Sequence, residues 1–87
     1  MSSPTPPAVT LLTRPGCHLC EAARESVERV TAALGLGWEE VDVDTDAELA
    51  RRHAEEIPVV LVDGVPRDFW RIDERRLARL LRERLAG

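Results

Sequence analysis

Apolar and polar positions change their period several times along the chain, and each change marks an element. Ala8 to Thr13 is a short apolar run rich in β-branched residues, which predicts a buried strand. Arg14-Pro15-Gly16 breaks it. From Cys17 to about Leu34 the apolar residues Leu19, Ala22, Ala23, Val27, Val30 and Leu34 recur at helical spacing. Gly35 and Gly37 end that helix. Trp38 to Asp44 alternates late in the run, with Val41 and Val43 on one face and Glu40, Asp42 and Asp44 on the other. That suits a half-exposed edge strand with acidic side chains that discourage pairing with other chains. Thr45-Asp46-Ala47-Glu48 has capping-box spacing and predicts a short second helix from Thr45. Pro58 stops anything helical before it. Val59 to Val62 is continuously apolar, as in a strand covered on both faces. Asp63-Gly64 is a hairpin signal, and Pro66 confines the strand from Val65 to an edge. Asp73 is placed to cap a last helix, with Ile72 and Leu77 as a hydrophobic staple. Leu77, Leu80, Leu81 and Leu85 form its expected buried stripe.

The order is strand, helix, strand, helix, strand, strand, helix. A right-handed crossover makes the first two strands parallel and adjacent, and the hairpin adds an antiparallel pair. The chain is therefore an α/β domain with helices on both faces of a small mixed sheet. Its 87 residues support one core, assigned to residues 8–87. Residues 1–7 (Met1 to Pro7) read as a short disordered leader with neither the basic nor the apolar region of a secretory signal.

Composition narrows the function more than the fold. No stretch approaches the roughly 18–20 apolar residues of a membrane span, so no membrane association is expected. A net charge of −4 and only three aromatic residues, Trp38, Phe69 and Trp70, argue against nucleic acid as a partner. Two cysteines without a secretory signal point to the cytoplasm, where a disulfide is more often transient and catalytic than structural. The basic residues are all arginine, and those of the last helix (Arg75, Arg76, Arg79, Arg82, Arg84) read as a solvated face.

Those cysteines are Cys17 and Cys20, in Cys17-His18-Leu19-Cys20, straight after the first strand and at the start of the first helix. A helix start offers free N–H groups and the positive end of the peptide dipole, and both favour a thiolate. A second cysteine one turn on can close a disulfide. The setting reads as a redox motif, against the alternative of two inert core cysteines. His18 either supports the thiolate as a cation or fills a variable exposed position. Zinc wants four ligands; His18 points away from the pair and His53 lies far along the chain, so no metal site is expected.

The dithiol at a helix start, the downstream Ile57-Pro58 step and the run Thr13-Arg14-Pro15-Gly16-Cys17-His18-Leu19-Cys20 resemble the glutaredoxins, in particular short bacterial glutaredoxin-like proteins. The resemblance extends from about Val9 to Leu85. It implies a thioredoxin-like, glutaredoxin-type three-layer sandwich with a four-stranded mixed sheet in β-α-β-α-β-β-α order. It implies Cys17 as nucleophile, Cys20 as resolving thiol and a cis bond before Pro58, which leaves the Ile57 backbone free to pair with a substrate strand. It implies Arg14 as a contact for a substrate carboxylate, and with His18, Leu19, Ile57 and Pro58 this completes the expected substrate-binding set. No bound cofactor follows, with glutathione a possible co-substrate. The partners implied are protein disulfides or glutathione mixed disulfides, and glutathione or a thioredoxin-reductase-like protein as electron donor. Glutaredoxins usually carry Pro-Tyr between the cysteines and a Gly-Gly pair after the last strand. Here those places hold His18-Leu19 and Asp68-Phe69-Trp70-Arg71, so weak glutathione recognition is expected. Phe69 and Trp70 are expected mainly as core packing, with an apolar lip near the dithiol as the alternative. The resulting expectation is a thiol–disulfide oxidoreductase; the alternatives are a non-catalytic redox-responsive binding module and a metal or cluster carrier.

Overall fold

The short apolar run ending at Thr13 forms the centre of a four-stranded sheet. A computed structural model describes residues 7–53 and 55–87; most of the expected leader, residues 1–6, lies outside them. The elements are β1 (Val9–Thr13), α1 (His18–Ala33), β2 (Trp38–Asp42), α2 (Ala47–His53), β3 (Val59–Val62), β4 (Val65–Phe69) and α3 (Glu74–Ala86). The strand order is β2-β1-β3-β4. β1 runs parallel to β2 and antiparallel to β3, and β3 is antiparallel to β4. Asp63 and Gly64 turn the β3–β4 hairpin with φ of 52° and 81°, the left-handed pair that a tight two-residue turn requires. Pro66 lies on edge strand β4 as expected, next to a bulge that leaves Arg67 without a partner.

Alternation along β1 sends side chains to two cores. Leu11 and Val9 join Val27, Val30, Val60, Leu77 and Leu81 beneath α1 and α3. Leu12 joins Val43 and Val59 on the opposite face, where Leu49 of α2 packs. This is the three-layer arrangement.

Four local expectations shift. The first concerns Val43 and Asp44, which are not strand: Val43–Thr45 is a 3₁₀ turn, opened by Asp42 accepting from the Asp44 N–H at 2.8 Å. The α2 cap is Asp46 and not Thr45. Asp46 Oδ1 accepts from the N–H groups of Glu48 and Leu49, while the Thr45 hydroxyl donates to the Asp42 carbonyl. On α1 the buried stripe is Cys20, Ala23, Val27, Val30 and Thr31, rotated so that Leu19 and Ala22 are exposed. On α3 the stripe narrows to Leu77 and Leu81; Leu80 is half-buried and Leu85 exposed. The cap at Asp73 forms as expected, its carboxylate accepting from the Arg76 N–H at 3.1 Å. Ile72 packs on the core that holds Leu77, as the staple requires.

Candidate active site

The register gathers the chemically interesting residues at one end of the sheet. Thr13 pairs with Asp42, and Leu12 with Val59, which puts Pro58 across from Thr13. Val59 pairs with Phe69, which brings the end of β4 to the same rim. Four chain segments therefore meet there: Arg14–Cys17, the turn after β2, Ile57-Pro58 and Phe69-Trp70.

Arg14-Pro15-Gly16 turns the chain from β1 into α1, closed by the Cys17 N–H on the Arg14 carbonyl. Cys17 is the N-cap of α1, in extended conformation, and its Sγ accepts from the Cys20 N–H at 3.2 Å. Cys17 is half-buried and Cys20 fully buried. The pair is joined as a disulfide with the Cα atoms 5.3 Å apart, inside the range that a disulfide spans. The more accessible cysteine, Cys17, is therefore the one at the helix N-terminus.

His18 is exposed and, with Arg14, Gly16, Cys17, Glu21 and Arg24, borders a small depression beside the dithiol. Leu19 is exposed on the other flank. The Ile57–Pro58 bond is cis, Pro58 is buried, and the Ile57 backbone takes no part in the loop hydrogen bonds among the described residues. Arg14 is already engaged: its Nε and Nη2 donate to Asp44 Oδ1 at 3.3 and 3.2 Å. Asp44 thus lies in the turn after β2 and pairs with Arg14, which corrects its reading as an edge-blocking strand carboxylate. The distant His53 faces Glu56 Oε2 at 3.1 Å.

Phe69 and Trp70 divide between core and lip. Phe69 packs into the α2-side core, whereas Trp70 is exposed. The Trp70 backbone sits at φ 59°, a left-handed conformation that is strained for a bulky residue by on the order of 1–3 kcal/mol. Its N–H donates to the Pro58 carbonyl at 2.8 Å, and its indole N–H donates to the Glu55 carbonyl at 3.1 Å. Asp68 holds the segment from below, accepting from the N–H groups of Phe69 and Asp73. The sequence offers core and lip for the two residues together; the structure assigns core to Phe69 and an exposed place to Trp70. The available signal was a large aromatic where glutaredoxins carry glycine.

Glu40 fixes the start of α1 against the sheet. Both its oxygens take 2.8 Å hydrogen bonds from Arg24, and the buried Thr13 hydroxyl donates to it at 2.7 Å. The Arg24 bonds hold the Glu40 carboxyl below its ordinary value, against an upward push from partial burial and with further help from Thr13. A lowered carboxylate stabilises the fold fully above its unfolded value near 4.5, and that contribution is lost as pH falls through the lower folded value. Glu40→Gln is therefore expected to lose about 0.5–1 kcal/mol at pH 7, after solvent screening. Urea unfolding at pH 7 and pH 3 checks this: the gap between variant and parent should shrink at pH 3.

The model of the glutaredoxin-like domain family matches residues 8–82. The chain belongs to the glutaredoxin-like domain family. Uncharacterized proteins of Mycobacterium tuberculosis and Mycobacterium bovis are 37% identical to it over 76 residues, covering 82% of this chain and 78% of theirs. The solved structure of protein XcR50 from X. campestris is 30% identical, with a TM-score of 0.71 over 87% of this chain and 97% of that one. A thioredoxin-like protein, the T8A mutant of BC3987, aligns with a TM-score of 0.62 at 22% identity, over 86% of this chain and 95% of that one, a likeness of fold. Within the glutaredoxin-like domain the Cys-x-x-Cys pair therefore sits on a thioredoxin-like fold, as its residues implied. No helix among the described residues is long and apolar enough to cross a membrane.

Proposed function

We propose that this chain is a dithiol–disulfide oxidoreductase of the cytoplasm that reduces protein or small-molecule disulfides. The observation that carries the reading is the asymmetry of the pair: Cys17 half-exposed at the cap of α1, Cys20 buried one turn inside. The Cys17 thiolate attacks one sulfur of the substrate, its S–S bond breaks, and the departing thiolate takes up a proton. Cys20 then gives up its proton and attacks Cys17 Sγ, releasing the second substrate thiol and leaving a Cys17–Cys20 disulfide. Two electrons and two protons have moved to the substrate. Glutathione or a thioredoxin-reductase-like protein returns two electrons to the enzyme. The test is insulin and hydroxyethyl disulfide reduction by catalytic amounts of the protein with dithiothreitol as reductant. Many substrate disulfides reduced per protein molecule, above the rate without protein, support it. Reversible oxidation without any turnover overturns it in favour of a redox-responsive module.

Arg14 serves a substrate carboxylate in this reading, and Asp44 competes for it. Arg14→Ala is expected to raise KM for a glutathione mixed disulfide severalfold with little change in kcat, since it removes binding common to ground and transition states. Asp44→Asn frees the guanidinium and is expected to lower KM. Steady-state kinetics on both variants reads this directly; an Asp44→Asn enzyme with a raised KM sinks the competition.

A further inference from the structure

We propose that the groove beside the dithiol selects protein disulfides in which the attacked cysteine is flanked by a large apolar residue and then a carboxylate. This rests on the oxidoreductase reading and names its substrate class. The groove, about 380 Å³, lies between α1 and the segment joining β4 to α3, lined by Leu19, Ala22, Ser26, Trp70, Arg71 and Ile72. Four large apolar side chains are exposed among the described residues, and two of them, Leu19 at 38% and Trp70 at 53%, line it. One of those two, Leu19, stands between the cysteines in the sequence, so the groove runs along the flank of α1 next to the dithiol turn.

The Trp70 wall is built rather than incidental. Its main-chain bond to Pro58 and its indole bond to Glu55 anchor it to the loop opposite the dithiol. An aromatic wall fixed before binding saves the ordering cost that a free side chain would incur. Arg71 supplies the charge. Five arginines, Arg14, Arg24, Arg29, Arg52 and Arg84, each face a carboxylate; of the others, which have no ion-pair partner among the described residues, Arg71 is the one that lines the groove. A carboxylate beside the apolar side chain would complete it. Glutathione has no large apolar side chain beside its cysteine and leaves the groove unfilled.

The test uses the full chain in its reduced form on three short peptide disulfides, with Leu-Asp, Leu-Lys or Ser-Lys after the cysteine. Hydroxyethyl disulfide is the reference substrate. The Leu-Asp peptide is expected to be reduced with roughly tenfold higher kcat/KM than the Ser-Lys peptide. Trp70→Ala should abolish the preference for leucine. Because that change also removes the indole bond to the Glu55 carbonyl, Arg71→Glu, an exposed position, gives an independent reading: it should reverse the preference between Leu-Asp and Leu-Lys peptides. Equal rates on the three peptides, with hydroxyethyl disulfide reduced, overturn the groove and leave the oxidoreductase reading standing. An Arg71→Glu enzyme that keeps the acidic preference overturns the role of Arg71. Failure to reduce any of the four disulfides overturns both.

Discussion

Replacing Cys17 with serine is expected to lower disulfide reduction by roughly 10³-fold or more, since a serine hydroxyl at neutral pH cannot stand in for an attacking thiolate. Cys20→Ser should behave differently. Its Cys17 still attacks, but no second thiol follows, so the protein accumulates as a mixed disulfide with the substrate. Intact-protein mass spectrometry after a single exposure to substrate separates the two variants. An adduct on Cys17→Ser and none on Cys20→Ser would reverse the assigned roles. The expectation rests on position: Cys17 is at the helix cap and partly open, whereas Cys20 is wholly enclosed.

The largest effect on stability is expected at Leu11. It is fully buried at the middle of β1, packed into the core beneath α1 and α3. Leu11→Ala should cost about 2–5 kcal/mol, the lost transfer energy plus the cavity left behind. A domain of this size typically holds only about 5–15 kcal/mol in total, and each kcal/mol moves Tm by about 4–8 °C. Thermal unfolding should therefore fall by tens of degrees or be lost. Leu85→Ala is the control: its side chain is 50% exposed, and a change within about 0.5 kcal/mol is expected. Equal losses at the two positions would contradict the assignment of the core.

Most of the architecture is legible in the chain because its strands and helices differ cleanly in period. Val59 to Val62 could only be an enclosed strand, and Pro66 only an edge. The readings that shifted are those where two local devices compete. Thr45 and Asp46 are both good caps; Asp46 prevails because Thr45 is engaged in closing the turn that Asp42 opens. Alternation carried Val43 into the strand, but the 3₁₀ turn buries it equally well. Leu19 looks like core by spacing alone, yet the rotation of α1 that buries both Cys20 and Ala23 turns it outward. The dithiol and the proline were read from motif and resemblance. The Arg14–Asp44 pair and the Trp70 anchor were hidden, because both join residues far apart in the chain, and a single sequence carries no record of such pairs.

The central place of β1 has a further consequence, for the chain as it is being made. β1 finds its parallel neighbour only once residues 38–42 exist, and its antiparallel neighbour only once residues 59–62 do. Until then the strand lacks both flanks, and the α3 residues that complete its core, Leu77 and Leu81, come later still. During synthesis Cys17 and Cys20 thus emerge early on a segment that cannot yet enclose the second thiol. The difference in access between the two sulfurs, Cys17 half-buried and Cys20 enclosed, belongs to the folded domain. A nascent chain offers two similar thiols to any oxidant; the finished one offers a single sulfur.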